Sequence, residues 1–443
     1  MIERLDSARR CENLLHGKGH HIKSADLPWR HGPLAPDTRF EYNSFRNQVL
    51  SLRLRKNLVS RRCESEKPES LEKPVRVLMI SKACVAGIYQ RKLEEIAARD
   101  VALTVVAPPG WRDERGWLSL ERAYTEGYAL RVTPMALNGS FHLHHYPHLR
   151  RILAEVQPDV VHVDEEPYNL VTWQTVRLSQ QVGARPLFFT WQNLLRRYPP
   201  PFNWMERYVY RHTAYAIAGN QDAVRVLRAK GYAGPARVIP QFGVDPALYP
   251  LAVAPDSQPF TIGYVGRLVP EKGIADLLRA AAKLSGDWRV RLLGNGPDRD
   301  RLLALARSLG ISERVAFDPQ VPSSDVPAYL GRLHALVLPS RTRPNWKEQF
   351  GRVLIEAMAC GVPVVGSDSG EIPNVIGDAG LVFPEQDVGA LYAHLHTLID
   401  DRDLWHELSH RGRERVRAHF TQSRVAAQTV AVYREVMDGK WPA

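Results

Sequence analysis

The strongest constraint on this chain is a rhythm. From Val75 onward, short apolar runs alternate with stretches whose apolar residues recur at helical spacing. The runs are Val75–Ile80, Val101–Ala107, Val160–Val163, Pro186–Thr190, Ala214–Ala218 and Ala236–Pro240. Helical patterns fall between them at Lys92–Arg99, Leu149–Val156, Leu170–Gln181, Trp204–His212 and Ala223–Lys230. Apolar strands joined by crossover helices satisfy their hydrogen bonds as a parallel sheet buried on both faces. The rhythm breaks over Leu248–Pro259, which holds three prolines. It resumes with strands Phe260–Val265, Trp288–Leu293, Val315–Asp318, Ala335–Leu338, Val362–Gly366 and Leu381–Phe383. The helices of this second series are Ile274–Leu284, Arg299–Leu309, Val326–Gly331 and one beginning near Gly351, and Val388–Met437 is helical throughout by period. The pattern predicts two doubly wound α/β domains, 75–250 and 251–420, facing a cleft, with a helix in 421–443 crossing back to the first. Ligands of such sheets bind beyond the carboxyl ends of the strands.

Composition limits what the cleft can hold. The chain has 443 residues, 44% hydrophobic and 24% charged, which suits two globular domains plus an extension. Residues 1–74 are polar and basic and are expected to be poorly ordered, with Asn43–Lys56 a candidate basic helix. A net charge of +11 suits an anionic partner: a nucleotide, a nucleic acid or a membrane surface. No nucleic-acid-binding motif appears, so nucleic acid is not expected. The four cysteines, Cys11, Cys63, Cys84 and Cys360, have no paired spacing and point to neither zinc nor disulfides. A reducing cytoplasm is the expected setting.

The chemistry concentrates in 348–361. Glu348 and Glu356 flank Phe350 and Gly351, and a helix is predicted to begin near Gly351 with Gly361 just past its end and Pro363 blocking its continuation. Its first free N–H groups make an anion site, while carboxylates accept hydrogen bonds from hydroxyls. A phosphate joined to a polyol satisfies both. Upstream, Gly266-Arg267 and Lys272-Gly273 place two cations on one strand-to-helix turn, suited to a diphosphate. Gly294-Asn295-Gly296-Pro297 ends the next strand; it reads as a tight turn, or as a place where a base or ribose lies against main chain.

These motifs, in this order, together with Leu338-Pro339-Ser340 and Gly361-Val-Pro-Val-Val365, resemble the family-four retaining glycosyltransferases. The resemblance covers about residues 75–437. It implies a GT-B fold of two Rossmann-like domains and a nucleotide-diphosphate sugar as donor, with no cofactor. It implies that Arg267 and Lys272 hold the diphosphate, that Glu348 binds sugar hydroxyls beside Phe350 and Gly351, and that the N–H groups of Arg352 and Val353 meet phosphate. Glu356 would bind the ribose and the main chain of Val321 the base, with Gly266 and Asn295 near the donor. The acceptor would be a glycan, a lipid-linked sugar or a small molecule, in cell-envelope or exopolysaccharide synthesis. The first domain departs from the pattern. Where the family often has His-x-His-Glu-Pro, this chain reads His162-Val-Asp164-Glu165-Glu166-Pro167, so Asp164 or Glu165 takes the place of a histidine beside the reacting sugar. Only Gly87 in the loop Lys82–Gly87 suits close approach to phosphate. A GT-B sugar-nucleotide epimerase and a non-catalytic nucleotide-sugar binder are the alternatives.

Other features carry less. Asp298-Arg-Asp300 and Asp401-Arg-Asp403 sit at helix starts, where Asp caps N–H groups, so no metal is expected. His142, His144, His145 and His148 read as a solvated loop. Asn138-Gly-Ser140 matches a glycosylation sequon without a secretory context. Arg196, Arg197, Arg207 and Arg211 interleave with aromatics; Trp204, Met205, Tyr208 and Val209 read as a core-facing stripe. The arginines and the basic extension are expected to favour contact with an anionic membrane surface on the cytoplasmic side.

Overall fold

The computed structural model describes residues 73–113, 116–252 and 259–439. Asn43–Lys56, nearly all of the N-terminal extension and half of the proline-rich boundary lie outside them.

The first domain contains β1 (Val75–Ile80), β2 (Val101–Ala107), β3 (Gly110–Asp113), β4 (Gly116–Ser119), β5 (Ala129–Val132), β6 (Val160–Val163), β7 (Arg185–Thr190), β8 (Tyr215–Ala218) and β9 (Ala236–Val238). Its helices are α1 (Arg91–Ala97), α2 (Leu149–Val156), α3 (Leu170–Gln181), α4 (Phe202–His212) and α5 (Gln221–Ala229). Seven strands form a parallel sheet in the order β5-β2-β1-β6-β7-β8-β9, and β3 and β4 form a separate antiparallel hairpin. Alternation along β1 explains the double covering. Val77 and Met79 enter one core, Leu78 and Ile80 the other, with Leu149 and Leu153 of α2.

The second domain contains β10 (Phe260–Val265), β11 (Trp288–Leu293), β12 (Val315–Asp318), β13 (Ala335–Leu338), β14 (Val364–Ser367) and β15 (Leu381–Phe383), in the parallel order β12-β11-β10-β13-β14-β15. Its helices are α6 (Ile274–Ala281), α7 (Arg299–Ser308), α8 (Val326–Leu330), α9 (Arg352–Ala359), α10 (Ile372–Ile376), α11 (Val388–Asp400) and α12 (Arg402–His419). A last helix, α13 (Gln422–Asp438), puts Val425, Val430, Tyr433 and Val436 into the core of the first domain. Each such fully buried side chain contributes about 1.5–3 kcal/mol. The two crossings between domains run side by side: Val244 N–H donates to Phe420 O at 2.8 Å and Gln422 N–H to Val244 O at 2.9 Å.

In each sheet the strand order reverses once, between β1 and β6 and between β10 and β13. The crevice at such a point is where a doubly wound sheet binds its ligand. Beyond β1 and β6 come Ser81, Lys82, Asp164 and Glu165; beyond β10 and β13 come Gly266, Arg267, Pro339 and Ser340.

Candidate functional site

Helix α9 is set by its ends. Gly351, at φ 75°, starts it in a left-handed conformation that a side chain would strain. At the other end Val362 N–H donates to Ala357 O and Gly361 N–H to Met358 O, each at 2.9 Å, a closed C-terminal motif. The free N–H groups therefore lie at the Gly351 end, and Glu348 stands just before them.

Glu348 is buried and doubly held: Lys272 Nζ donates to its Oε2 at 2.6 Å and Ser340 Oγ at 2.8 Å. Lys272 also lies 4.9 Å from the Trp346 ring. The loop itself is gripped from the first domain, Asn193 Nδ2 donating to Glu348 O at 3.3 Å and Asn220 Nδ2 to Gln349 O at 2.8 Å. The cation expected on phosphate and the carboxylate expected on sugar hydroxyls thus form one ion pair. Ser340 belongs to the Leu338-Pro-Ser motif, but its role on Glu348 was not read from it.

Gly266, Arg267, Asn295 and Val321 wall one cavity, which Asp113 of β3 also lines. A second cavity, of about 1350 Å³, carries Gly266, Arg352 and Glu356 on one side and Lys82, Asp164 and Glu165 on the other. Arg352 Nε lies 2.8 Å from Glu356 Oε1, and its guanidinium lies over the Tyr89 ring at 5.0 Å. Burial pushes the Glu356 carboxyl up, against the pull of Arg352. Lys272, Glu348, Phe350 and Val353 are not on either wall. Phe350 packs between Trp191 and Phe420, with ring centroids 5.9 and 5.8 Å away, and Val353 packs against the second core.

On the first-domain side three consecutive carboxylates have three environments. Asp164 accepts from Ser81 Oγ at 2.7 Å and Gln241 Nε2 at 2.9 Å. Glu165 is ion-paired with Lys82; burial pushes it up, but Lys82, with His144, outweighs this and holds it at about 2. Burial pushes Glu166 up to about 7, although Thr190 Oγ1 and Trp191 N–H donate to it at 2.6 and 2.8 Å. Both Asp164 and Glu165 face the cavity.

Several expectations need correction. His144 is buried, not solvated: its Nδ1 lies 3.0 Å from Ser140 O and its Nε2 3.8 Å from Glu165 Oε1. The loop folds inward because Trp111 offers its ring to His144, 5.3 Å between centroids. The Gly87 N–H is already taken by the Glu121 carboxylate at 2.6 Å, and a Cβ there would fall 2.7 Å from Ala123 Cβ, so its smallness serves loop packing. Cβ atoms on Gly294 and Gly296 would fall 2.0 Å from Gly266 O and 2.2 Å from Leu268 O. Those glycines let two loops touch, and both also line the cavity that Asn295 and Val321 wall. Asp401 caps α12 through Leu404 N–H at 2.8 Å, but Asp298 makes no cap and pairs with Arg301 at 2.5 Å. Trp204 is 64% exposed. The core face of α4 is Met205, Glu206, Val209 and Tyr210, one residue round the helix from the expected stripe.

Comparison with known proteins agrees with this architecture. Residues 90–248 match the model of Glycosyltransferase Family 4, and residues 252–415 that of Glycosyl transferases group 1. N-acetyl-alpha-D-glucosaminyl L-malate synthase of Bacillus anthracis is 33% identical over 170 residues, 38% of this chain and 43% of that one. The chain spans about half the length of the first curated relatives it matches. Among solved structures, sucrose-phosphate synthase from Thermosynechococcus elongatus superposes with a TM-score of 0.63 at 21% identity, covering 83% of this chain and all of that one. Anabaena HepE in complex with UDP gives 0.61 at 17% identity, covering 82% and 100%. With two reversed-order parallel sheets, a C-terminal helix returning to the first, and both halves matched in order, the chain has the GT-B fold and belongs to the group 1 and family 4 glycosyltransferases.

Proposed function

We propose that this chain is a retaining, metal-independent glycosyltransferase that takes a sugar from a nucleotide-diphosphate donor. One observation carries the reading: a single cavity is walled by residues at the switch points of both sheets, Gly266 on one side and Asp164 and Glu165 on the other. A donor in the second domain would meet an acceptor from the first there. The presence of UDP in the HepE structure supports a nucleotide as ligand of this fold. Arg267, Lys272 and the N–H groups of Arg352 and Val353 supply positive potential for the departing diphosphate, where charge grows during transfer. Glu348, freed from Lys272 as phosphate takes that cation, accepts hydroxyls of the transferred sugar. Glu165, kept ionised by Lys82, accepts the hydrogen bond of the attacking hydroxyl.

Incubation with UDP-, GDP- and ADP-sugars should release one nucleoside diphosphate and place the sugar on an acceptor with its anomeric configuration kept, in EDTA as in its absence. An intact, epimerised nucleotide sugar as product, or turnover that EDTA abolishes and Mg²⁺ or Mn²⁺ restores, would contradict the reading.

We further propose cytoplasmic action at an anionic membrane face. No helix among the described residues is long and apolar enough to cross a membrane. On α4, Trp204, Arg207 and Arg211 follow one another at i, i+3 and i+7, all exposed, and Leu195 and Arg197 in the loop before α4 are exposed too. An aromatic among arginines is suited to an anionic headgroup layer.

A further inference from the structure

The first-domain wall of the shared cavity has a chemistry of its own, opposite to the character of the whole chain. The chain is +11, yet this wall presents Glu121, Asp164, Glu165 and Glu166 against Lys82. Lys82 is committed to Glu165 and lies 4.9 Å from the ring of Phe141 and 5.5 Å from that of Trp111. The same wall carries aromatic rings. Trp111 and Trp117 come from the β3–β4 hairpin, which the apolar rhythm of the sequence did not announce. The Trp117 ring lies so close to Gly110 that a Cβ there would fall 2.4 Å from it, while 52% of the residue stays exposed. Phe141, from the loop before α2, is 46% exposed. Large apolar rings left half open on a cavity wall have no core role; they await an apolar face.

A ligand that satisfies this wall needs hydroxyls for the carboxylates and a flat patch of C–H groups for the indoles, and it must carry no negative charge. A pyranose ring has both features. A phosphorylated or carboxylated acceptor would meet Asp164 and Glu165 there, while the cavity's cations are already paired, Lys82 with Glu165 and Arg352 with Glu356.

We propose that the acceptor is a neutral saccharide whose sugar ring stacks on Trp117 and Trp111 and offers its hydroxyl to Glu165. This rests on the glycosyltransferase reading and names the acceptor class of that same cavity. Trp117 is then a specificity-determining residue, acting on acceptor binding and not on the donor.

The test is the full chain on a glycan array holding neutral, phosphorylated, sulfated and sialylated oligosaccharides, with calorimetric titration of UDP, GDP and ADP on the same preparation. The expected result is binding dominated by neutral glycans, reduced at least tenfold in Trp117→Ala and restored in Trp117→Phe, both variants melting as the parent does. Binding dominated by anionic glycans, no glycan binding by a protein that binds nucleotide, or a Trp117→Ala variant that melts normally and binds neutral glycans as before would overturn it. Failure to bind any nucleotide as well as any glycan would instead strike the glycosyltransferase reading on which it stands.

Discussion

The two switch points of this molecule occupy equivalent places in equivalent sheets and are built from different materials. The second-domain site is made of backbone and short loops. Gly266, Gly294 and Gly296 let two strand ends touch, and Lys272, Ser340 and Glu348 converge within hydrogen-bonding distance. The first-domain site is made of long side chains: carboxylates at the end of β6, a lysine after β1, and aromatics carried in by a hairpin and a loop. A site framed by close-packed main chain has little room to vary; one framed by side chains on inserted loops is free to change what it recognises. In the function proposed above, the rigid site would take the donor and the changeable one the acceptor.

The largest effect that would sharpen this contrast is on turnover. Glu348→Gln removes the charge that holds Lys272 and, in the account above, accepts the sugar's hydroxyls. Such charged hydrogen bonds are worth about 1.5–3 kcal/mol. Donor turnover should fall about 10- to 100-fold, measured as nucleoside diphosphate release. Wild-type rates in Glu348→Gln would remove this carboxylate from the chemistry.

The same contrast explains what could be read from sequence. Glycine, arginine, lysine and glutamate at fixed short spacings mark the second-domain site because each loop is local: Gly266 to Gly273, Glu348 to Glu356. The first-domain site is assembled across distance. Lys82 meets Glu165, His144 meets Glu165, and Trp111 meets His144, and no spacing announces any of these. β3, β4 and β5 carry no strand signal in the sequence because Gly110–Asp113, Gly116–Ser119 and Ala129–Val132 are short and mostly exposed or half-buried. Trp204 was misplaced by one helical step, an error of about 100° that sends a ring from core to solvent.

A second effect separates two neighbouring carboxylates. Burial raises Glu166 from its ordinary 4.5 to about 7, while Lys82 keeps Glu165 low. A raised folded-state value means the stability associated with protonated Glu166 is present below 4.5 and lost as pH rises through about 7. Glu166→Gln should therefore gain in melting temperature over the parent as pH goes from 4.5 to 8, by roughly 2–4 °C for each kcal/mol relieved. A difference independent of pH across that range would show that Glu166 is not titrating there.

A third, smaller effect concerns the surface outside both sites. Each arginine near an anionic bilayer contributes about 1 kcal/mol, so Arg207→Ala with Arg211→Ala should reduce partition onto phosphatidylglycerol vesicles at low salt about 30-fold. Equal partition by parent and double variant, or onto neutral vesicles, would dismiss the electrostatic contact.

The division between the halves is tested most directly by two lysines, one from each switch point, in one titration. Lys272 pairs with Glu348 at 2.6 Å and Lys82 pairs with Glu165. Calorimetry with the preferred nucleoside diphosphate should show affinity falling about 10- to 100-fold in Lys272→Ala, the worth of one charge-assisted contact. In Lys82→Ala it should stay within about twofold of the parent. Loss of nucleotide affinity in Lys82→Ala with Lys272→Ala unaffected, or equal loss in both, would contradict the assignment of donor and acceptor to these two halves.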